Sequence, residues 1–261
     1  MTRRRPPVLL GLLAAVGAVL FIAPLVGLLA RTPWSDLGGV LGREIVADAL
    51  GLSLLISLGA TLLSLLFGLP LAWILARVEF RGRTLLRGLV LLPLVLPPVV
   101  GGAALLFTFG RRGLVGQPLE ELTGLVLPFS VWGAILAAAF VAMPFLVITV
   151  EGALRNLDQR FEGAAAALGA NRWTVLRRVT LPMIAPSLVS GLLLTWARAL
   201  GEFGATITFA GNLPGRTQTL PLAVFVAMEG DRDAAVAMSL LLVFVSLAVL
   251  ISLRRSWWRA R

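Results

Sequence analysis

The sequence predicts an all-α membrane protein with six transmembrane helices, on the strength of three observations. Of the 261 residues, 58% are hydrophobic and the mean hydropathy is +0.94, whereas globular domains are about 45–50% apolar. Six stretches are long enough to cross a bilayer, which takes about 20 mostly apolar residues. The connections between these stretches alternate between net positive ones and neutral or net negative ones, as they do in multi-pass membrane proteins.

The six predicted spans follow one another in a single membrane domain that comprises residues 1–261. They are Val8–Ala30, Ala49–Ala76, Leu85–Phe109, Leu125–Val150, Met183–Phe209 and Ala234–Leu253. Arg3–Arg5 before the first span could mark a signal sequence, but the apolar run is longer than a signal peptide needs, so we expect an uncleaved span. The third span contains Pro93 and Pro97-Pro98, so we expect it to be kinked or interrupted. Such a break could line a pathway or only shape the packing.

The arginines predict the orientation of the chain. With the N-terminus in the cytosol, 16 arginines and four acidic residues fall on the cytosolic side, against six arginines and eight acidic residues outside. This is the positive-inside distribution, so both termini are predicted to be cytosolic. The net charge of +10 is explained by topology and requires no nucleic acid. Trp257-Trp258 beside Arg254-Arg255 predicts an interfacial anchor against membrane lipid for the last helix.

Missing residue types limit the chemistry. The chain has no Cys, His or Lys, which excludes disulfides and a P-loop lysine and argues against a zinc or haem site. It also has no Gly-x-Ser-x-Gly sequence. We therefore predict no metal, no cofactor and no enzymatic activity, and a membrane-embedded hydrolase is disfavoured.

The connection between the fourth and fifth spans, residues 151–182, has an unusual pattern. Helix-forming residues run through Ala167, Gly169 is placed to end a helix, and Asn171 can cap a second one. Pro182 would then lie in the first turn of the fifth span. This helix–turn–helix could dock into the groove of another protein or pack on the underside of its own chain.

The same stretch resembles the EAA loop of ABC-importer permeases. The motif corresponds to Gly163-Ala164-Ala165, Leu168-Gly169 and Val179-Thr180-Leu181-Pro182. The resemblance implies a type I importer permease whose loop is a coupling helix docked to a separate cytosolic ATPase. Residues implied in ATPase coupling are Glu162, Gly163, Ala164, Ala165, Leu168, Gly169, Ala170, Leu181 and Pro182. The glutamate of the motif is replaced by Gly163, so we expect Glu162, one residue earlier, to make the docking contact.

Four further segments resemble the permeases of molybdate and tungstate importers. They are Leu92–Gly101, Phe109–Gly113, Arg198–Phe209 and Asn212–Pro221. Sulfate and thiosulfate permeases share the Arg198–Gly204 segment and are the alternative, although the Thr217–Pro221 ending favours molybdate. The resemblance implies a prokaryotic cell membrane (inner or plasma), an external oxyanion-binding protein and two ATPase subunits. One chain supplies one coupling loop, so a homodimer is expected.

Candidate pathway residues lie in the third and fifth spans. Arg198 and Glu202 are four residues apart and therefore share a helix face. Arg198 could help an oxyanion to pass while Glu202 limits its binding, or the two could form a structural ion pair, which we favour. Thr206 and Thr208 could line the path, with Ser190 and Thr195, although hydroxyls also bond to their own backbone. Pro97 and Pro98 are gate candidates.

A function of another class is an ion-driven secondary transporter. Such proteins usually contain internal repeats and membrane-buried ionisable groups. The sequence has no evident repeat, and Glu202 is the one acidic residue within a predicted span. The importer permease is therefore favoured.

Overall fold

The structure, a computed structural model, describes residues 7–258, without the side chains of residues 249–250 and 252–258. The predictions on Arg3–Arg5 and on the side chains around Trp257-Trp258 lie outside the described residues. The elements within this range are α1 (Val8–Arg31), α2 (Leu37–Leu41), α3 (Glu44–Arg77), α4 (Arg83–Val95), α5 (Pro98–Phe109), α6 (Gly116–Thr123), α7 (Val131–Asn156), α8 (Arg160–Ala167), α9 (Arg172–Val175), α10 (Leu181–Leu200), α11 (Gly204–Phe209), α12 (Leu220–Gly230) and α13 (Arg232–Trp258).

The predicted fold class is confirmed for the part of the chain that the structure describes, which is helical and contains no strand. In that part, four helical segments are long and apolar enough to cross a membrane: α1, α3, α7 and the continuous helix from Arg172 to Leu200. The backbone of α13 covers the sixth predicted span.

The third predicted span is interrupted where the prolines indicated. Helix α4 ends at Val95, and α5 begins at Pro98 with Pro97 as its N-cap. The residue before a proline is disfavoured in the helical conformation, and Leu96 is extended at φ −65° and ψ 137°. Pro98 in the first turn of α5 has no N–H that would need a partner there.

The fifth predicted span, Met183–Phe209, was wrong as a continuous helix. Helix α10 ends at Leu200, and the chain restarts as α11 at Gly204. The physical reason lies in Glu202, whose Oε1 accepts the N–H of Ala205 at 2.9 Å and so caps the new helix. The connection that follows contains α12, an apolar helix too short to cross a bilayer, which the sequence analysis missed.

The long helices pack through small residues. Helices α3, α7 and α10 share a core that includes Ala60, Ala134, Ala138, Ala142 and Ala199. Small side chains allow membrane helices to approach closely and gain dispersion energy. By contrast, α1 buries none of its side chains against the rest of the chain.

Two hydrogen bonds hold α10 and α12 against α3. The indole N–H of Trp196 in α10 donates to Ser57 Oγ at 2.9 Å, and the N–H that starts α12 at Leu220 donates to Ser53 Oγ at 2.6 Å. Helix α12 ends beside the start of α3, where Asp231 pairs with Arg43. We call this end of the bundle the acidic end. The opposite end, with the α3–α4 connection and residues 151–182, is the basic end.

Candidate functional site

The loop of residues 151–182 contains the predicted helix and glycine turn. Gly169 has a φ of +87°, the left-handed conformation that glycine adopts without strain. Its N–H donates to the carbonyl of Ala166 at 2.9 Å, and the N–H of Ala170 donates to that of Ala165 at 3.1 Å. These two hydrogen bonds define a Schellman turn, which satisfies the last carbonyls of α8.

The second helix of the loop begins as predicted but is not separate from the fifth span. Asn171 Oδ1 accepts the N–H of Thr174 at 2.8 Å and caps α9. Helix α9 then continues through a π-helical turn, Leu176–Thr180, into α10. Pro182 in the first turn of α10 has no N–H to donate to the carbonyl four residues earlier, and the wider turn lies directly before it.

Helix α8 and its turn expose an apolar surface at the basic end. We define this exposed face as Phe161, Ala164, Leu168 and Trp173, in which the three large side chains are 55%, 89% and 65% exposed. Ala164 is exposed as well, and Phe161, Ala164 and Leu168 follow the helical spacing of three, four and seven residues. Adjacent exposed apolar groups outside the spans make this face a candidate interaction surface.

The opposite face of α8 points toward the protein's own helices. Glu162, Gly163 and Ala166 line a cavity of about 1120 Å³ together with Ala170 and side chains of α3, α9 and α10, and Trp173 of the exposed face also lines it. Leu181 lines it too, whereas Pro182 lies outside it and is exposed. Ala165 is half-buried. The predicted coupling residues are therefore divided between an outward and an inward face.

Glu162 lies at the centre of a polar contact among three elements. Its Oε1 accepts the hydroxyl of Thr180 at 2.7 Å, and its Oε2 lies 3.2 Å from Nη2 of Arg77, the last residue of α3. Elsewhere in the loop, Arg160 donates to Asp158 on the surface and holds the pKa of that carboxyl below its usual value.

A second polar cluster at the basic end was not predicted from the sequence. The buried carboxylate of Glu151 in α7 accepts from Arg87 Nε at 3.0 Å and lies 3.0 Å from Arg155 Nη2. Arg83 donates to the carbonyl of Leu75 at 2.9 Å, so α4 is held to the end of α3 as well. The sequence did contain a signal for this cluster: an acidic residue follows one predicted span, and arginines lie at the start of another on the same predicted side of the membrane.

The two interrupted spans meet at their breaks. A Cβ added to Gly204 would lie 2.8 Å from Cβ of Pro98, and one added to Gly102 would lie 2.9 Å from the carbonyl oxygen of Ala205. Helices α5 and α11 are therefore in backbone-to-backbone contact. Pro97 and Pro98 are both exposed beside this contact.

The ion pair predicted from the four-residue spacing is present. Arg198 Nη1 lies 2.6 Å from Glu202 Oε2, with the two side chains 29% and 2% exposed. Glu202 thus binds both an arginine and the N-terminus of α11. The charge of Arg198 is compensated, while part of its side chain remains accessible.

The hydroxyl candidates differ in their partners. Ser190, Thr195 and Thr208 each donate to the carbonyl four residues earlier, at 2.8–2.9 Å. The hydroxyl of Thr206 is buried and has no hydrogen-bond partner among the described residues. Of the four, Thr206 is the one whose hydroxyl makes no hydrogen bond to a described residue, and it is buried inside the protein.

Interrupted spans and an exposed apolar face at one end are features that a transport permease would need. Comparison with known proteins agrees. Residues 64–256 match the family model "Binding-protein-dependent transport system inner membrane component", and the chain belongs to that family.

The chain is similar to individual molybdenum and sulfate permeases. The chain is 48% identical over 240 residues to the molybdenum transport system permease protein ModB of Mycobacterium tuberculosis, covering 92% of this chain and 90% of the relative. It is 45% identical over 214 residues to ModB of Escherichia coli (82% and 93% covered). It is also 38% identical over 233 residues to the sulfate transport system permease protein CysT of that organism (89% and 84%).

The fold is similar to a crystal structure of a bacterial ABC transporter involved in the import of the acidic polysaccharide alginate. The TM-score is 0.73 at 20% identity, with 97% of this chain and 96% of that chain covered. A second structure of such a transporter, in complex with an alginate pentasaccharide-bound periplasmic protein, gives the same TM-score at 94% coverage of its chain. At this identity the likeness shows the fold alone.

Proposed function

We propose that the chain is the transmembrane permease subunit of an ATP-driven importer for molybdate or tungstate. Two copies would form the pathway, two cytosolic ATPase subunits would bind their loops, and an external binding protein would deliver the oxyanion. The observation that carries the proposal is the exposed face of α8 at the basic end, in a chain of the binding-protein-dependent transport family. Higher identity to the molybdenum permeases than to CysT favours molybdate over sulfate.

The exposed face is the surface that we assign to the ATPase. Phe161, Leu168 and Trp173 lie in a loop rather than in a lipid-facing span, so burial against a protein partner would remove their apolar surface from water. The arginine-rich ends of the spans support a cytosolic position for this loop and for both termini.

In the proposed mechanism the permease performs no chemistry and shifts between two conformations. Closure of two ATP-bound subunits draws the two loops together, and the spans tilt to open the acidic end to the binding protein. The oxyanion would then pass the breaks at Pro97-Pro98 and Gly201–Phe203, where Arg198, Thr206 and Thr208 are the candidate contacts. Hydrolysis resets the complex.

Uptake in proteoliposomes tests the proposal. The permease, reconstituted with its ATPase and binding protein, is expected to accumulate molybdate only with ATP, and tungstate is expected to compete much more strongly than sulfate. Uptake without any ATPase, driven by an ion gradient, would identify a secondary transporter instead. Stronger competition by sulfate would assign the chain to the sulfate class.

ATPase binding tests the exposed face directly. Leu168→Arg places a charge in the proposed interface and should abolish co-purification of the ATPase. Leu122→Arg is the matched control, because Leu122 in α6 is equally exposed but lies in the connection expected on the other side of the membrane. Equal binding by both variants would remove the exposed face from the proposal.

A further inference from the structure

The carboxylate of Glu162 joins three elements that a coupling movement must connect. Glu162 itself lies in the first turn of α8. Arg77, which lies 3.2 Å away, ends α3, and Thr180, which donates to it at 2.7 Å, precedes α10. Among the described residues of the loop that follow α7, the other ion pair, Asp158–Arg160, is local and reaches no second element.

Burial sets this pair apart from the surface ion pair of the same loop, Asp158–Arg160. The side chains of Arg77 and Glu162 are 11% and 22% exposed, and Thr180 is buried. Asp158 and Arg160 in the same loop are 40% and 90% exposed. An ion pair shielded from water is screened less by salt and holds its geometry more firmly than a surface pair.

The contact between Glu162 and Thr180 crosses an irregular stretch of helix. Thr180 is the last residue of the π-helical turn Leu176–Thr180, which connects the loop to α10. Turns of this kind are places where a helix can bend. A hydrogen bond from Thr180 to Glu162 restrains the loop and the start of α10 relative to each other across that turn.

We propose that Glu162 is a positioning residue that makes α8 move as one body with the ends of α3 and α10 that lie at the basic end. Its role is to carry the movement of the loop into the spans, and the ATPase does not contact it. Docking is left to the outward face, Phe161 and Leu168, on the opposite side of α8. The inference rests on the proposed function, in which the loop couples the permease to an ATPase.

The test measures binding and coupling separately in the reconstituted complex. Glu162→Ala should leave co-purification of the ATPase and its basal hydrolysis rate unchanged. The number of oxyanions imported per ATP hydrolysed should fall at least about fivefold, the lower limit of ordinary coupling between sites. Glu162→Gln, which can still accept from Thr180, should give a smaller loss.

A charge swap guards against a loss that is due only to misfolding. Arg77→Glu alone should lower the import per ATP, and Arg77→Glu combined with Glu162→Arg should recover part of it. The matched control is Asp158→Asn with Arg160→Gln, which removes the exposed pair of the same loop and should leave the import per ATP unchanged.

The outcomes separate this inference from the function on which it rests. Loss of ATPase binding in Glu162→Ala would show that Glu162 is a docking contact and would overturn the inference. Unchanged import per ATP would also overturn it. Failure of the unaltered chain to bind any ATPase would instead refute the proposed function.

Discussion

Replacing Gly169 tests whether the left-handed backbone conformation at this one residue is needed for the loop to bind the ATPase. Its φ of +87° is one that L-residues rarely adopt, and a Cβ added there would meet nothing within 4 Å. Gly169→Ala therefore introduces strain without a clash, and a left-handed conformation costs an L-residue about 1–2 kcal/mol. If the variant relaxes this strained turn in the free permease and must restore it to dock, the affinity for the ATPase falls by about 5- to 30-fold.

A graded series distinguishes strain from side-chain volume. Gly169→Asn should bind better than Gly169→Ala because asparagine tolerates the left-handed region, whereas Gly169→Val should bind worst. Gly163→Ala is the matched control: its helical backbone and open surroundings predict unchanged binding and a helix more stable by about 0.5–1 kcal/mol.

The measurement is a titration of the labelled ATPase against the detergent-solubilised permease. Equal losses for alanine and asparagine would contradict the strain argument, because the two side chains differ in their tolerance of positive φ. Unchanged affinity throughout the series would show that the Schellman turn has no part in docking.

Three further predictions concern the spans. Gly204→Ala places a methyl group against the proline that begins α5 and should lower the free energy of unfolding by about 1–3 kcal/mol, measured by thermal unfolding. The control is Gly201→Ala, whose added methyl group would have no neighbour closer than 3.8 Å and should be tolerated. Equal effects of the two variants would contradict the close contact. Glu151→Gln leaves its arginine partners at the basic end without a counter-charge, and thermal unfolding should report a loss of about 2 kcal/mol, less than for a fully buried pair because those arginines are partly exposed; an unchanged midpoint would argue that the cluster is only superficial. Arg198→Gln leaves the buried Glu202 unpaired and should cost about 3–5 kcal/mol, while the double replacement by glutamine should recover most of it; a double variant that is stable but inactive in uptake would assign the pair to the pathway.

Local signals in the sequence predicted much of the fold. Apolar length located the spans, and Pro97-Pro98 indicated the break because a proline acts on its own backbone and on the preceding residue. Gly169 and Asn171 likewise act within a few residues, so the turn and the cap of α9 followed from sequence alone.

What failed depends on contacts between distant residues. Gly201 did not identify the end of α10, because the new helix there depends not only on the local cap from Glu202 but also on its contact with Pro98 of α5, which is distant in the sequence. Helix α12 was missed because its first N–H is held by Ser53, 167 residues away in sequence. The partner of Glu162 is 85 residues distant, so the pattern of the loop contained no indication that this carboxylate points inward.

The arrangement of broken helices divides the bundle into two halves that we expect to differ in stiffness. Helices α5, α11 and α12 have 12, 6 and 11 residues and each ends at a break or a connection. At the basic end, the ion pairs and hydrogen bonds around Glu151 and Glu162 connect the long helices. Amide hydrogen exchange should therefore be faster in the three short helices than in the ends of α3 and α7 at the basic end. In the proposed complex, the binding protein would then contact the more adaptable half and the ATPase the more rigid one.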